Sequence, residues 1–162
     1  MNLIFLDYNG ISSISKIAIQ DFYKAEVFAN ECNSVLKYSN QYKYKANEYT
    51  FVKHDDTLIN NVFYFHYEIK SIKSIKYQKR KKIQSAHLII DKNSQEFTPF
   101  LYNPLFYNLY SKTPILPNGL FKIIYYTNLK GEITFKKELL NVVKSDKYLT
   151  IPEECDYTKS PK

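Results

Sequence analysis

An antiparallel sheet built from two hairpins, with a long N-terminal helix packed on it, is the α+β fold that this sequence predicts. Three observations carry the expectation. Apolar residues recur at spacings of three and four from Ile14 to Leu36. Val62 to Lys70 alternates between two faces, and Ile83 to Ile90 then returns to apolar character. Leu120–Tyr126 and Glu132–Lys136 flank Asn128-Leu129-Lys130-Gly131, a hairpin turn sequence. A chain of 162 residues with 16 Tyr and 11 Phe is long and aromatic enough to bury a core without Trp. The expected division is one domain over residues 1–151 and a polar tail over 152–162.

Taken in order, Leu3–Leu6 reads as a short buried strand and Asp7-Tyr8-Asn9-Gly10 as a turn. Ser12 or Ser13 can cap a helix over 13–38 whose apolar stripe holds Ile14, Ile17, Phe22, Ala25, Phe28, Cys32 and Leu36. Its other face, with Lys16, Gln20, Lys24, Asn30, Glu31 and Lys37, is expected to meet solvent. Residues 39–47 make a polar connection, and Glu48–Lys53 is a strand. His54-Asp55-Asp56-Thr57 is a turn, and Asn60-Asn61 breaks the chain again.

In the strand that follows, Phe63, Phe65, Tyr67 and Ile69 share the core face, while Tyr64, His66, Glu68 and Lys70 make a polar row. Beyond Ile69 the repeat becomes three, which fits neither strand nor helix well, so residues 70–82 read as the solvated tip of a long hairpin. Glu96–Tyr102 is a strand confined to an edge or bulge by Pro99. Asn103-Pro104 starts a short helix over Leu105–Tyr110. Thr113–Gly119 is a loop, Glu138–Lys144 fits helix or strand, and Tyr148–Ile151 is a last strand.

The net charge of +7 favours an anionic partner. Lys outnumbers Arg 22 to 1 and Gly numbers only 3, a bias that AT-rich codons alone can produce, and one Arg is few for bidentate reading of phosphates or guanine. Seven of the cations nevertheless fall in residues 70–82: Lys70, Lys73, Lys76, Lys79, Arg80, Lys81 and Lys82, with Tyr77 among them. Lysines on a protruding segment can follow a phosphate backbone, and tyrosine can stack on exposed bases. The expected function is therefore nucleic-acid binding, with RNA or a nucleoprotein assembly as partner. A protein-interaction module, such as an inhibitor or immunity protein using a Tyr-rich surface, is the other non-enzymatic reading.

Asp55 and Asp56, followed by a strand bearing Glu68-x-Lys70, resemble the PD-(D/E)xK nuclease pattern over residues 55–70, although no Pro precedes Asp55. The resemblance implies Asp55, Asp56, Glu68 and Lys70 as catalytic residues. Asp56 and Glu68 would hold Mg²⁺ or Mn²⁺, and Lys70 would stand beside the attacking water. Outside that resemblance no cofactor is expected.

His54, His66 and His87 are scattered singly, and a lone histidine is more often hydrogen-bonded structure than ligand. His66 and His87 face each other across the hairpin only if its register allows. Cys32 and Cys155 form no framework or zinc spacing, so Cys32 reads as a small core residue and a reducing compartment such as the cytoplasm as the default. The apolar run Leu3–Leu6 is too short for a signal peptide, so secretion is not expected, and no segment approaches the length of a membrane span.

Overall fold

Five antiparallel strands in sequential order make the larger part of the molecule: β5 (Tyr49–Ile59), β6 (Val62–Ser71), β7 (Ser85–Asp91), β8 (Phe121–Thr127) and β9 (Ile133–Glu138). The computed structural model describes residues 1–7, 11–37, 45–101, 103–143 and 145–156. It divides into two units, one formed by residues 40–142 and the other by 1–39 together with 143–162.

Alternation builds the sheet of the 40–142 unit. Phe51, Tyr67, Ile69, Ala86, Leu88 and Ile90 are buried on one face, where Phe106 and Leu109 of the helix Pro104–Lys112 pack against them. Leu101 and Leu116, from the segments flanking that helix, complete this core. The helix starts as its sequence requires: the Asn103 side chain accepts from the Leu105 amide at 2.9 Å, with Pro in the first turn. Asn60 and Asn61 both have positive φ, 49° and 62°, and turn β5 tightly into β6. Asn128 closes the β8–β9 turn by accepting from the Lys130 and Glu132 amides, and Gly131 supplies the positive φ of 81°.

Several expectations over this unit are corrected. Residues 54–57 are not a turn: β5 runs through them with a register shift between His54 and Thr57. Such a bulge absorbs an extra residue without ending the strand. The basic segment is not a loop. Ser74 caps a two-turn helix, Ile75–Lys81, accepting from the Tyr77 amide, and Lys82 ends it in the left-handed region. Its spacing of three was the seam between strand and helix. Residues 96–101 form no strand, and the remaining position of that predicted strand, Tyr102, lies outside the described residues.

The other unit overturns the predicted N-terminal helix, and with it the α+β fold class. Residues 13–37 hold strand β2 (Ile11–Lys16), a six-residue helix α1 (Ile19–Lys24), strand β3 (Val27–Ala29), a 3-10 turn (Cys32–Ser34) and strand β4 (Val35–Lys37). The described chain is thus mostly sheet with short helices. Strand β1 (Asn2–Asp7) pairs with β2, β2 with β4, and β3 runs parallel to β10 (Tyr148–Thr150).

The physical reason is local. Ser13 and Asn30, predicted at a helix start and on a solvent face, are buried partners: Asn30 Nδ2 donates to Ser13 Oγ at 2.7 Å and Ser15 Oγ donates to Asn30 Oδ1 at 2.7 Å. Side chains that bond nearby backbone or one another compete with helix, and Ile and Val add β preference. Ile14, placed in the predicted stripe, is 48% exposed. Cys32 is joined to Cys155 with Cα atoms 5.5 Å apart, so it is a half-cystine rather than a free core thiol. Val35, Phe5 and Ile151 pack around this bond. No helix of the described residues is long and apolar enough to cross a membrane. The predicted turn at 8–10 and most of the connection 39–47 lie outside the described residues.

Candidate functional site

The sheet face opposite the core helix carries the chemistry. Cross-strand partners there run Val52, Glu68, His87, Tyr125 and Lys136 in one row, and His54, His66, Ile89, Ile123 and Glu138 in the next. Because side chains alternate, the odd-numbered apolar positions of β6 that feed the core force His66, Glu68 and Lys70 onto this face together.

Three imidazoles gather at its centre. His54 and His66 are direct cross-strand partners with rings stacked at 4.6 Å. His66 Nε2 lies 3.1 Å from His87 Nδ1, and the Tyr125 hydroxyl lies 3.4 Å from His66 Nε2. Tyr125 stacks face to face on His87 at 4.4 Å. The outer nitrogens are held as well, His54 Nε2 by the Glu68 carboxylate at 3.0 Å and His87 Nε2 by the Thr127 hydroxyl at 3.0 Å.

The environment tunes these groups. Burial foremost, and then the neighbouring histidines, hold His66 below the ordinary imidazole range. His87 is lowered too, chiefly by burial, with Glu68 opposing. Burial alone would raise the Glu68 carboxyl, but hydrogen bonds from Ser85 and His54 and the nearby His87 and Lys70 charges hold it below its ordinary value. Tyr125 is pushed up by burial and by Glu68.

Beside this cluster a groove of about 700 Å³ opens, lined by Glu68, Lys70, Gln78, His87, Tyr125 and Thr127 among others. It shares Gln78, Asn128 and Leu129 with a second hollow of about 290 Å³ lined by Lys79, Lys82 and Lys130. The furrow therefore runs between the basic helix Ile75–Lys81 and the β8–β9 turn, with lysines from both sides.

Of the residues predicted to meet nucleic acid, Lys70, Lys79 and Lys82 line this furrow. Lys76, Arg80 and Lys81 are exposed on the helix. Tyr77 lies between two cations, Lys73 at 6.0 Å and the Arg80 guanidinium at 5.5 Å from its ring. Among the described residues Lys73 is the one of these cations in an ion pair, with Glu48 at 3.3 Å.

Of the nuclease-like set, Glu68 and Lys70 share the groove, but Asp56 is elsewhere. It pairs with Lys92, whose ammonium lies over the Phe65 ring on the core face at 4.7 Å. Asp55 is exposed on β5 at the register shift. Asp56 and Glu68 thus keep different partners, Lys92 and His54. His54, Tyr125, Thr127 and Lys130 were not singled out as a group from sequence. The alternation of β6 was the available signal for His66 beside Glu68. The helix inside the β6–β7 connection hid the register that adds His87. Compared with known proteins, the chain matches no family model, no curated protein and no solved structure.

Proposed function

We propose that this chain binds nucleic acid, RNA foremost, along the furrow between the basic helix and the β8–β9 turn. One observation carries the reading: Lys70 from β6, Lys79 and Lys82 from the basic helix and its cap, and Lys130 from the β8–β9 turn line two adjoining hollows that share Gln78, Asn128 and Leu129. A codon bias toward lysine spreads charge over a surface, whereas these cations converge on a channel with few acids to neutralise them. Lysines so placed track phosphates and release counterions on binding. The exposed Lys76, Arg80 and Lys81 extend the same field along the helix. RNA is the ligand this reading expects, and a cytoplasmic site for it would be set against the Cys32–Cys155 bond, which oxidising compartments favour.

The test is fluorescence anisotropy with a random single-stranded RNA oligonucleotide. Affinity should fall steeply with salt; for about four phosphate contacts the logarithmic slope is roughly −3. The triple reversal Lys79→Glu, Arg80→Glu, Lys82→Glu should abolish binding while circular dichroism stays unchanged. Unaltered affinity in that variant overturns the proposal.

A further inference from the structure

The nucleic-acid reading leaves the imidazole cluster without a task. His54, His66 and His87 each offer one ring nitrogen, and these atoms lie within 4.8 Å of one another. Three points so spaced fall within about 2.8 Å of a common centre, so shifts under about 1 Å bring them to the roughly 2.0–2.1 Å at which imidazole binds zinc. We propose that His54, His66 and His87 together hold one divalent transition-metal ion of the zinc class.

Three features of the structure support the assignment. The ligands stand on neighbouring strands of one sheet, two of them direct cross-strand partners, so their Cβ positions are fixed by backbone pairing rather than by a loop. The outer nitrogens of His54 and His87 already have partners of the kind that orient metal-binding imidazoles. The ionised Glu68 carboxylate can only accept, so it places the His54 proton on Nε2 and leaves the lone pair on Nδ1, and the Thr127 hydroxyl can accept from His87 Nε2 in the same way, leaving that ring's Nδ1 for an ion. His66 Nε2 already faces His87 Nδ1 at 3.1 Å.

The donor set also selects the class of ion. Imidazole nitrogens suit zinc, copper, nickel and iron, while Mg²⁺ and Mn²⁺ favour oxygen. Thiolate does not compete, since both cysteines are in the disulfide. Binding needs one adjustment. The His54 and His66 rings stack at an interplanar angle of 29°, so their lone pairs converge only after the rings turn about Cβ–Cγ. That torsion is broad for histidine. His87 lines the groove, which gives a fourth ligand access from solvent.

Calorimetric titration of tag-free, chelator-treated full chain with Zn²⁺ tests this. One ion per chain is expected, with a higher thermal midpoint in excess Zn²⁺. Co²⁺ in its place should give the visible absorption of a nitrogen-bound ion. His66→Ala and His87→Gln should each weaken Zn²⁺ binding by more than about tenfold, and Thr127→Val by about 10- to 100-fold through loss of the outer hydrogen bond. If His66→Ala fails to fold by circular dichroism, His54→Gln takes its place. The charge-reversed helix variant should bind Zn²⁺ as the wild type does, which separates this site from nucleic-acid binding. Absence of saturable binding by the folded chain overturns the proposal, as does an affinity unmoved by His87→Gln and His66→Ala, or by His87→Gln and His54→Gln where the substitute is needed.

Discussion

His66 and His87 show how much one side chain's meaning depends on register. Alternation along β6 makes His66 a neighbour of Glu68, and that much is readable from the chain. Pairing His66 with Ile89, which puts His87 on the adjacent row, is set by strand register across a connection holding a helix. No turn rule reaches that far. The electrostatic result is measurable in chelator-treated protein. Both imidazoles are held below their ordinary value by burial, among His54, Glu68 and Tyr125, so the folded chain takes up protons less readily than the unfolded one. Stability should be level above the unfolded value of about 6.5 and fall as pH drops below it. Urea midpoints between pH 7.5 and 5.5 should decrease, and His87→Gln should flatten the decline. A midpoint that rises on acidification would show the opposite sign.

Gly119 carries a second prediction at this scale. Its φ is 142°, and a Cβ there would stand 2.6 Å from the Asp91 carbonyl oxygen and 2.7 Å from Ile90 Cγ2. The first contact is to backbone at the end of β7 and the second to the fully buried Ile90, so neither can yield cheaply. Gly119→Ala combines backbone strain with a clash and should cost about 1–3 kcal/mol in a denaturant melt. A cost below about 0.5 kcal/mol would mean that this loop relaxes freely.

Among the elements, those whose signals are local were legible. The Asn-Pro helix start, the Asn128–Gly131 turn and the alternating β6 each need only neighbours in sequence, and each is present. The segment 13–37 failed for a different reason. Spacings of three and four among Ile14, Ile17, Phe22, Ala25 and Phe28 describe a helix only if the chain stays helical between them. Here the backbone finds partners far away: β3 pairs with β10, joining Val27 to Tyr148. Ser13 and Asn30 find each other 17 positions apart. A periodicity template sees neither. The basic helix hid in the opposite way, because Ser71 ends a strand and Ser74 opens a helix within the run that its repeat of three treats as one piece.

At the scale of the whole molecule, the unit of residues 1–39 and 143–162 is drawn from the two ends of the sequence, and Cys32–Cys155 links them across 123 positions. Removing the bond with Cys32→Ser should lower stability by about 2–5 kcal/mol, since so long a loop gives the unfolded chain much entropy to lose. The loss should appear as a separate, earlier transition, in which β3–β10 amides exchange before those of β6 and β7. One coincident transition in the variant would show that the two units unfold together.

The discontinuity also dictates a timetable. Every strand of the five-stranded meander pairs with a neighbour in sequence, so that unit can assemble from contacts made in order as the chain grows. Its partner unit lacks β10 and Cys155 until synthesis has passed residue 155. While β1, β2 and β4 can pair early, β3 must wait for β10 and Cys32 for Cys155 through the synthesis of more than a hundred residues. A released chain ending at residue 142 is therefore expected to carry a finished groove and histidine face while β3 lacks β10.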